Sequence, residues 1–193
     1  MRIGIFGGTF NPPHSGHKKL ALEFKGRLSL DLLLIIPTHI PPHKEPHQLA
    51  GDEDRMNMCR LCFDEKSILV SDIEIKRDGR SYTVDTLREI KKIYPDDEIY
   101  FLMGSDMLLS FHTWREPLEI TSLAHICTAS RHHDETKELE DYIDRYFSDI
   151  KSRFTVFDFE PIDVSSTEIR AGKKFDLLPE KVADYIKERG LYT

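Results

Sequence analysis

The sequence predicts an α/β fold: a Rossmann-like parallel sheet flanked by helices on both faces, with a small helical portion at the C-terminal end. Three observations predict it. Short apolar runs alternate with helical patterns along the chain, the order that βαβ units require. The runs "DLLLIIP" and "EIYFLMG" are apolar on successive residues, as when both faces of a strand are covered. And 193 residues, 39% of them hydrophobic, suffice for one ordinary core, so residues 1–193 are read as a single domain.

The elements follow in order. "RIGIF" is a strand, and "GHKKLALEFKGRL" a helix with Leu20 and Phe24 one turn apart. "DLLLIIP" is the second strand, followed by the polar, proline-rich loop "THIPPHKEPHQLAG". Asp52 is read as the cap of a helix running to residue 63. "SILVSDIEI" is extended, and "SYTVDTLREIKKIYP" is a helix capped by Ser81 or Thr83, packed through Leu87 and Ile90 and closed by Pro95. "EIYFLMG" and "AHICTAS" are strands. "DETKELEDYIDRYFSDIK" is a helix with Leu139, Ile143, Tyr146 and Ile150 on one stripe. "RFTVFDF" is the last strand, and Pro179 opens a terminal helix that stops before Gly190.

The formal net charge of -7 argues against broad binding to nucleic acid or acidic lipid. No run approaches a membrane span, and the glycines and prolines after the first strand interrupt any signal-peptide pattern. Three cysteines fit a reducing, cytoplasmic setting. Cys59 and Cys62 lie in a helical pattern and are read as buried thiols rather than a redox or metal pair.

Folds of this class bind ligands where strands end, so the chemistry is sought there. After the first strand comes "GGTFNPPHSGH". Gly7 and Gly8 let backbone approach a ligand closely. The next helix begins near Gly16 and His17, and its N-terminus is an anion site to which His14 and His17 would add donors. Lys18 and Lys19 in the same turn oppose the helix dipole, a conflict that a bound polyanion would resolve. A second such place is "DVSSTEIRAG", where Ser165 and Glu168 form a capping box and Arg170 reads as a cation early in the helix. Two such helix starts suggest one triphosphate held between them. The G-x-G-x-x-G dinucleotide fingerprint is absent. Five histidines between positions 14 and 47 keep a zinc-binding structural protein in view, although no catalytic metal spacing occurs.

These residues resemble a known family. "GGTFNPPHSGH" and "SSTEIR" are similar to the two signatures of the nucleotidyltransferases with an H-x-G-H motif. "IPTHIPPHK", "RDGRSYTVDTLREI", "FLMGSDMLLSFHTWREP" and "LPEKVADYIKERGLY" resemble the bacterial nicotinate mononucleotide adenylyltransferases, and the likeness spans nearly the whole chain. The relatives that make dephospho-coenzyme A carry a threonine where this chain has His14 and lack the S-Y-T-V-D-T segment. The chain departs from the family at Arg131, where "ASRHHDE" replaces an arginine followed by proline and glycine.

The resemblance implies transfer of AMP from ATP to nicotinate mononucleotide, giving nicotinate adenine dinucleotide and pyrophosphate on the route to NAD. It implies that His14, His17, Lys44 and Arg170 hold the ATP phosphates, with magnesium carried by ATP rather than by protein ligands. It places Gly8, Thr9, Phe10, Ser166 and Thr167 at the nucleotide, and Gly104 and Asp106 at the ATP ribose. Tyr82, Thr83, Trp114 and Arg131 fall to the mononucleotide, Trp114 stacking on its pyridine ring and Thr83 reading its carboxylate through backbone amides. A lone tryptophan is otherwise more often packing. Alternatives are preference for nicotinamide mononucleotide, another H-x-G-H adenylyltransferase, or a nucleotide-binding protein without catalysis. The sequence leaves a homo-oligomer open.

Overall fold

The computed structural model describes residues 1–39, 49–77, 79–130 and 133–192. Lys44 and Arg131 lie outside them. The chain runs β1 (Arg2–Gly8), α1 (Ser15–Arg27), β2 (Leu32–Pro37), α2 (Asp52–Cys62), β3 (Ile68–Val70), α3 (Thr83–Ile93), β4 (Glu98–Gly104), α4 (Ser105–Leu108), α5 (Pro117–Leu123), β5 (His125–Ser130), α6 (His133–Phe147), β6 (Phe154–Asp158), α7 (Ser166–Arg170) and α8 (Glu180–Arg189).

The six strands form one parallel sheet in the order β3-β2-β1-β4-β5-β6. The chain builds outward from β1 to β3, then returns to lay β4 on the other edge of β1. Connections from β1 and β4 therefore leave in opposite directions, which opens a crevice beyond their carboxyl ends.

The successive apolar residues divide between two cores. Leu33, Ile35, Tyr100 and Leu102 face a cluster with Phe24 of α1, Met58 and Cys59 of α2, Ile169 of α7 and Val182 of α8. Leu34, Ile36, Ile99, Phe101 and Met103 face Leu87 and Ile90 of α3, Ile120 of α5 and Leu139 of α6. Each fully buried side chain of this size contributes roughly 1.5–3 kcal/mol. Cys59, Cys62 and Cys127 are buried free thiols whose pKa is raised by burial. Helix α8 docks on α2, where the Tyr185 hydroxyl and Arg189 donate to Asp54 at 2.8 and 3.1 Å. Gly190 ends α8 at φ 60°, a conformation that glycine adopts without a Cβ clash.

Four local expectations are corrected. Only Ile68–Val70 of "SILVSDIEI" joins the sheet; the chain then turns, and Glu74 is drawn into a polar cluster. Gly51, not Asp52, is the N-cap of α2, because the Asp52 carboxylate is taken by Arg55 and by His39 at 2.6 Å. Tyr82 is the N-cap of α3 and no side chain caps it; the Ser81 hydroxyl instead accepts the His39 N–H at 3.3 Å. Helix α6 ends at Phe147 and gives way to the 3-10 segment Ser148–Arg153, with Ile150 at φ −127°. Its buried stripe is Leu139, Tyr142, Ile143 and Phe147, while Tyr146 is 41% exposed. Among the described residues no helix is long and apolar enough to cross a membrane.

Candidate active site

The loop that leaves β1 turns at Phe10, whose φ is 48°, and enters α1 through His14. His14 is the N-cap, and the two histidines cap the helix reciprocally. The His17 N–H donates to His14 Nδ1 and the His14 N–H to His17 Nδ1, both at 3.3 Å. Each Nδ1 is therefore an acceptor, and each neutral ring carries its hydrogen on Nε2. The rings stack with centroids 3.7 Å apart. Burial lowers the His14 pKa to about 4, and burial together with neighbouring His14 holds His17 well below its usual value. Both are neutral donors near pH 7, and neither opposes the α1 dipole. Gly16 permits the close packing here: a Cβ would lie 3.1 Å from both the His14 ring and Val164.

The charge conflict expected of Lys18 and Lys19 has a different resolution from a bound polyanion. Lys18 pairs with Asp64 at 3.2 Å and Glu65 at 2.7 Å. Lys19 donates to the Glu160 carbonyl at 2.6 Å and sits over the Phe159 ring. Both cations are held by the protein itself.

The second motif reaches the first. Ser165 and Glu168 form the expected capping box of α7. Ser166 Oγ donates to the Pro12 carbonyl at 2.8 Å, and Arg170 donates to the Asn11 carbonyl at 2.7 Å. Arg170 also donates to Thr167 Oγ1 at 3.3 Å, while its buried Nε lacks a partner among the described residues. Helix α7 is only five residues long, so Arg170 lies in its last turn and suits the helix dipole rather than opposing it. Beside this junction is a cavity of about 250 Å³ at the crevice between β1 and β4. Gly8, Phe10 and His17 line it from the first motif, and Gly104 and Ser105 from the end of β4. A second, more open hollow of about 340 Å³ lies by β3 and α3, away from both motifs.

The remaining expected residues divide in two. The Thr9 carbonyl accepts from Arg55 at 2.9 Å, and the Phe10 ring is 2% exposed among Phe6, His17 and Phe63, so these two residues shape the loop. Asp106 is exposed at the start of α4, close to Gly104. Tyr82 and Trp114 pack against the other core, and Thr83 follows Tyr82 as the first residue of α3. Trp114 is half-buried with its indole edge-on to Phe101 and Phe111, centroids 6.2 and 5.4 Å away. Arg115 lies over the Tyr82 ring at 4.8 Å. Arg88 of α3 binds Asp85 at 2.9 Å, Glu116 and Glu119, tying the segment after Trp114 to α3.

A neutral histidine pair, and an arginine from a distant segment bonded to the loop that leads into it, thus lie near the point where the order of strands reverses. The cytidylyltransferase-like family model matches residues 5–172 and so contains both motifs. The chain is 40% identical over 197 residues to the probable nicotinate-nucleotide adenylyltransferase of Desulfitobacterium hafniense, covering 99% of this chain and 95% of that one. It is 37% identical over 217 residues to the namesake from Desulfatibacillum aliphaticivorans, covering both chains fully. This chain belongs to the cytidylyltransferase-like family, in its nicotinate-nucleotide adenylyltransferase branch. The fold is similar to that of Plasmodium falciparum nicotinic acid mononucleotide adenylyltransferase complexed with NaAD, with a TM-score of 0.76, 19% identity and coverage of 99% and 97% of the two chains.

Three parts of this candidate site carry no signal in the sequence. Pro161 and Ile162, in the short linker between the last strand and the second motif, join Phe159 and Val164 in an apolar wall of the cavity, and the linker has no strand or helix periodicity to mark it. Arg55 is fully buried and binds the carbonyls of Thr9 and Ala50, joining the loop after β1 to the start of α2; in sequence it is one basic residue of an amphipathic helix. The Tyr192 hydroxyl donates to Asn11 Oδ1 at 2.6 Å, so the end of the chain braces the first motif. Such a contact, between residues 181 positions apart, leaves no local signal.

Proposed function

We propose that this chain transfers the AMP of ATP to nicotinate mononucleotide, releasing pyrophosphate and forming nicotinate adenine dinucleotide in NAD biosynthesis. One observation carries the site assignment: Arg170 and Ser166 are bonded to the loop that ends in the His14–His17 pair, beside the β1–β4 crevice. The names of the full-length relatives support the choice of substrate.

The reaction asks little covalent help of the protein. The mononucleotide phosphate has a second pKa of about 6, so it is already largely a dianion near neutrality. It attacks the α-phosphorus of ATP in line; a new P–O bond forms, and the bond to the bridging oxygen breaks with its electrons leaving on pyrophosphate. The protein's part is alignment and stabilisation of the charge that grows on the leaving group. His17 donates Nε2–H from the cavity wall, and His14 stacks against it and fixes its tautomer. Arg170 brings a permanent charge to the loop before the histidine pair through its bond to the Asn11 carbonyl. Lys44, outside the described residues, is assigned to the phosphates by resemblance. Gly104 and Asp106 receive the ATP ribose, Trp114 stacks on the pyridine ring, and Thr83 offers backbone amides to its carboxylate.

Among the described residues no three His, Cys, Asp or Glu side chains gather to hold a metal. The donors at the first motif are N–H groups, which bind phosphate oxygens and leave others for magnesium. Magnesium riding on ATP fits that set, and it would supply further charge neutralisation. Three free thiols suit a cytoplasmic enzyme.

The test is a pyrophosphate-release assay with ATP and either nicotinate or nicotinamide mononucleotide, run on wild type and His17→Ala. The nicotinate form should be the better substrate. The variant should fold normally and lose about 100- to 1000-fold in kcat, the scale of one preorganised donor. Near-full turnover by folded His17→Ala would overturn the assignment.

A further inference from the structure

Glu74 is a buried carboxylate with no part in the reaction as drawn. It follows β3 in the chain and is 7% exposed. Its Oε1 accepts the Thr86 hydroxyl at 2.7 Å, and the side chains of Ser81 and Thr38 lie beside the carboxylate and favour its charged form. The three side chains come from three places: Thr38 from the exit of β2, Ser81 from the approach to α3, and Thr86 from α3 itself. The nearest countercharge is Arg77, which donates to Thr86 Oγ1 at 2.9 Å and pairs with Glu89 at 2.8 Å. Burial raises the Glu74 pKa, while the three hydroxyls and Arg77 act the other way.

The first turn of α3 needs such a tether. Its N-cap, Tyr82, makes no side-chain capping bond. Its apolar face, Val84, Leu87 and Ile90, is fully buried and anchors the helix to the sheet, which leaves the polar side of the first turns to the Thr86–Glu74 bond. The Ser81 hydroxyl meanwhile accepts the His39 N–H, so the same cluster sets where the chain leaves β2.

We propose that Glu74 is a positioning residue for the mononucleotide. By holding the Thr86 hydroxyl, beside a Ser81 that is itself bonded to the His39 N–H, it fixes the start of α3, and with it Tyr82 and Thr83, against the exit of β2. This rests on the reading that Tyr82 and Thr83 receive the mononucleotide. Glu74 touches neither substrate in that reading; its effect passes through backbone placement alone.

Glu74→Gln keeps the shape but replaces one acceptor oxygen by an NH2 group beside the Thr86 hydroxyl and Arg77. Its KM for nicotinate mononucleotide should rise about tenfold or more while its KM for ATP stays within about twofold. In the substrate-free protein, hydrogen exchange across residues 81–90 should accelerate, with exchange in α6 unchanged. Thr86→Val, which removes one donor at nearly constant shape, should show the same split to a smaller degree. Equal rises in both KM values, or unchanged exchange across 81–90 in both variants, would overturn the proposal. Wild-type enzyme making no product from nicotinate mononucleotide would instead defeat the functional reading, and the exchange measurement would then decide the tether alone.

Discussion

His14 and His17 show how much one side-chain interaction can set. The rings face each other across 3.7 Å, and a proton on either would put a cation in an apolar setting beside a helix N-terminus. The folded state therefore depresses the His14 pKa from its ordinary 6.5 to about 4. A base with a lowered folded pKa gives stability that is complete above its unfolded pKa and lost as pH falls towards the folded one. His14 alone should thus cost about 3 kcal/mol between pH 6.5 and pH 4. His14→Asn, which keeps an N-cap acceptor, should flatten the stability profile over that window in urea titrations. An unchanged slope would remove His14 as the cause. Trp114 poses a separate question, since its indole already packs on Phe101 and Phe111. If its open face also stacks on the pyridine ring, Trp114→Ala should weaken mononucleotide use by roughly 1–3 kcal/mol and leave the KM for ATP nearly intact. Equal losses for both substrates would count against stacking.

The same sequence cues succeed or fail by what surrounds an element. Strands β1, β2, β4, β5 and β6 were legible because both faces, or one face and a neighbour, demand apolar residues. Strand β3 stops at Val70 although extended-looking sequence continues, because the chain turns there and Glu74 bonds Thr86 of α3 instead of joining a ladder. In α6 the periodicity was real but the stripe was misplaced, since Tyr146 is turned outward to stack on His112 and Phe147 is turned inward. Helix α7 was readable from its capping box, and its five residues have little else to hold them. Ser165→Ala should cost about 1 kcal/mol of stability. It should also raise the KM for ATP, because α7 carries Arg170 and Ser166 to the first loop; thermal melts and ATP titration would measure the two effects. A stability loss with ATP use unaltered would separate α7 from nucleotide binding.

Across the molecule, the site is assembled by contacts between distant segments. Arg55, wholly buried, bonds the Thr9 carbonyl after β1, the Ala50 carbonyl ahead of α2 and the Asp52 carboxylate. Replacing it by methionine leaves the Thr9 and Ala50 carbonyls without this donor and Asp52 with His39 alone, at a cost of about 3 kcal/mol. The Arg55→Met midpoint in urea should fall accordingly, and kcat should drop with it because Thr9 lies in the first motif. A variant as stable and active as wild type would show that the loop holds without this cation. At the opposite end, Tyr192 and Arg170 both fasten Asn11, from segments far along the chain.

The amino-acid order alone settled the alternation of strands and helices, the two motifs and the family, because periodicity, capping boxes and turn residues act between neighbours in the chain. It could not show that Lys18 and Lys19 are already paired, that the two histidines are neutral, or that Glu74, Arg55 and Tyr192 brace the loops. Those outcomes depend on burial and on partners tens of residues away. Desolvation and long-range hydrogen bonds have no local pattern, and they exist only once the sheet has brought the segments together.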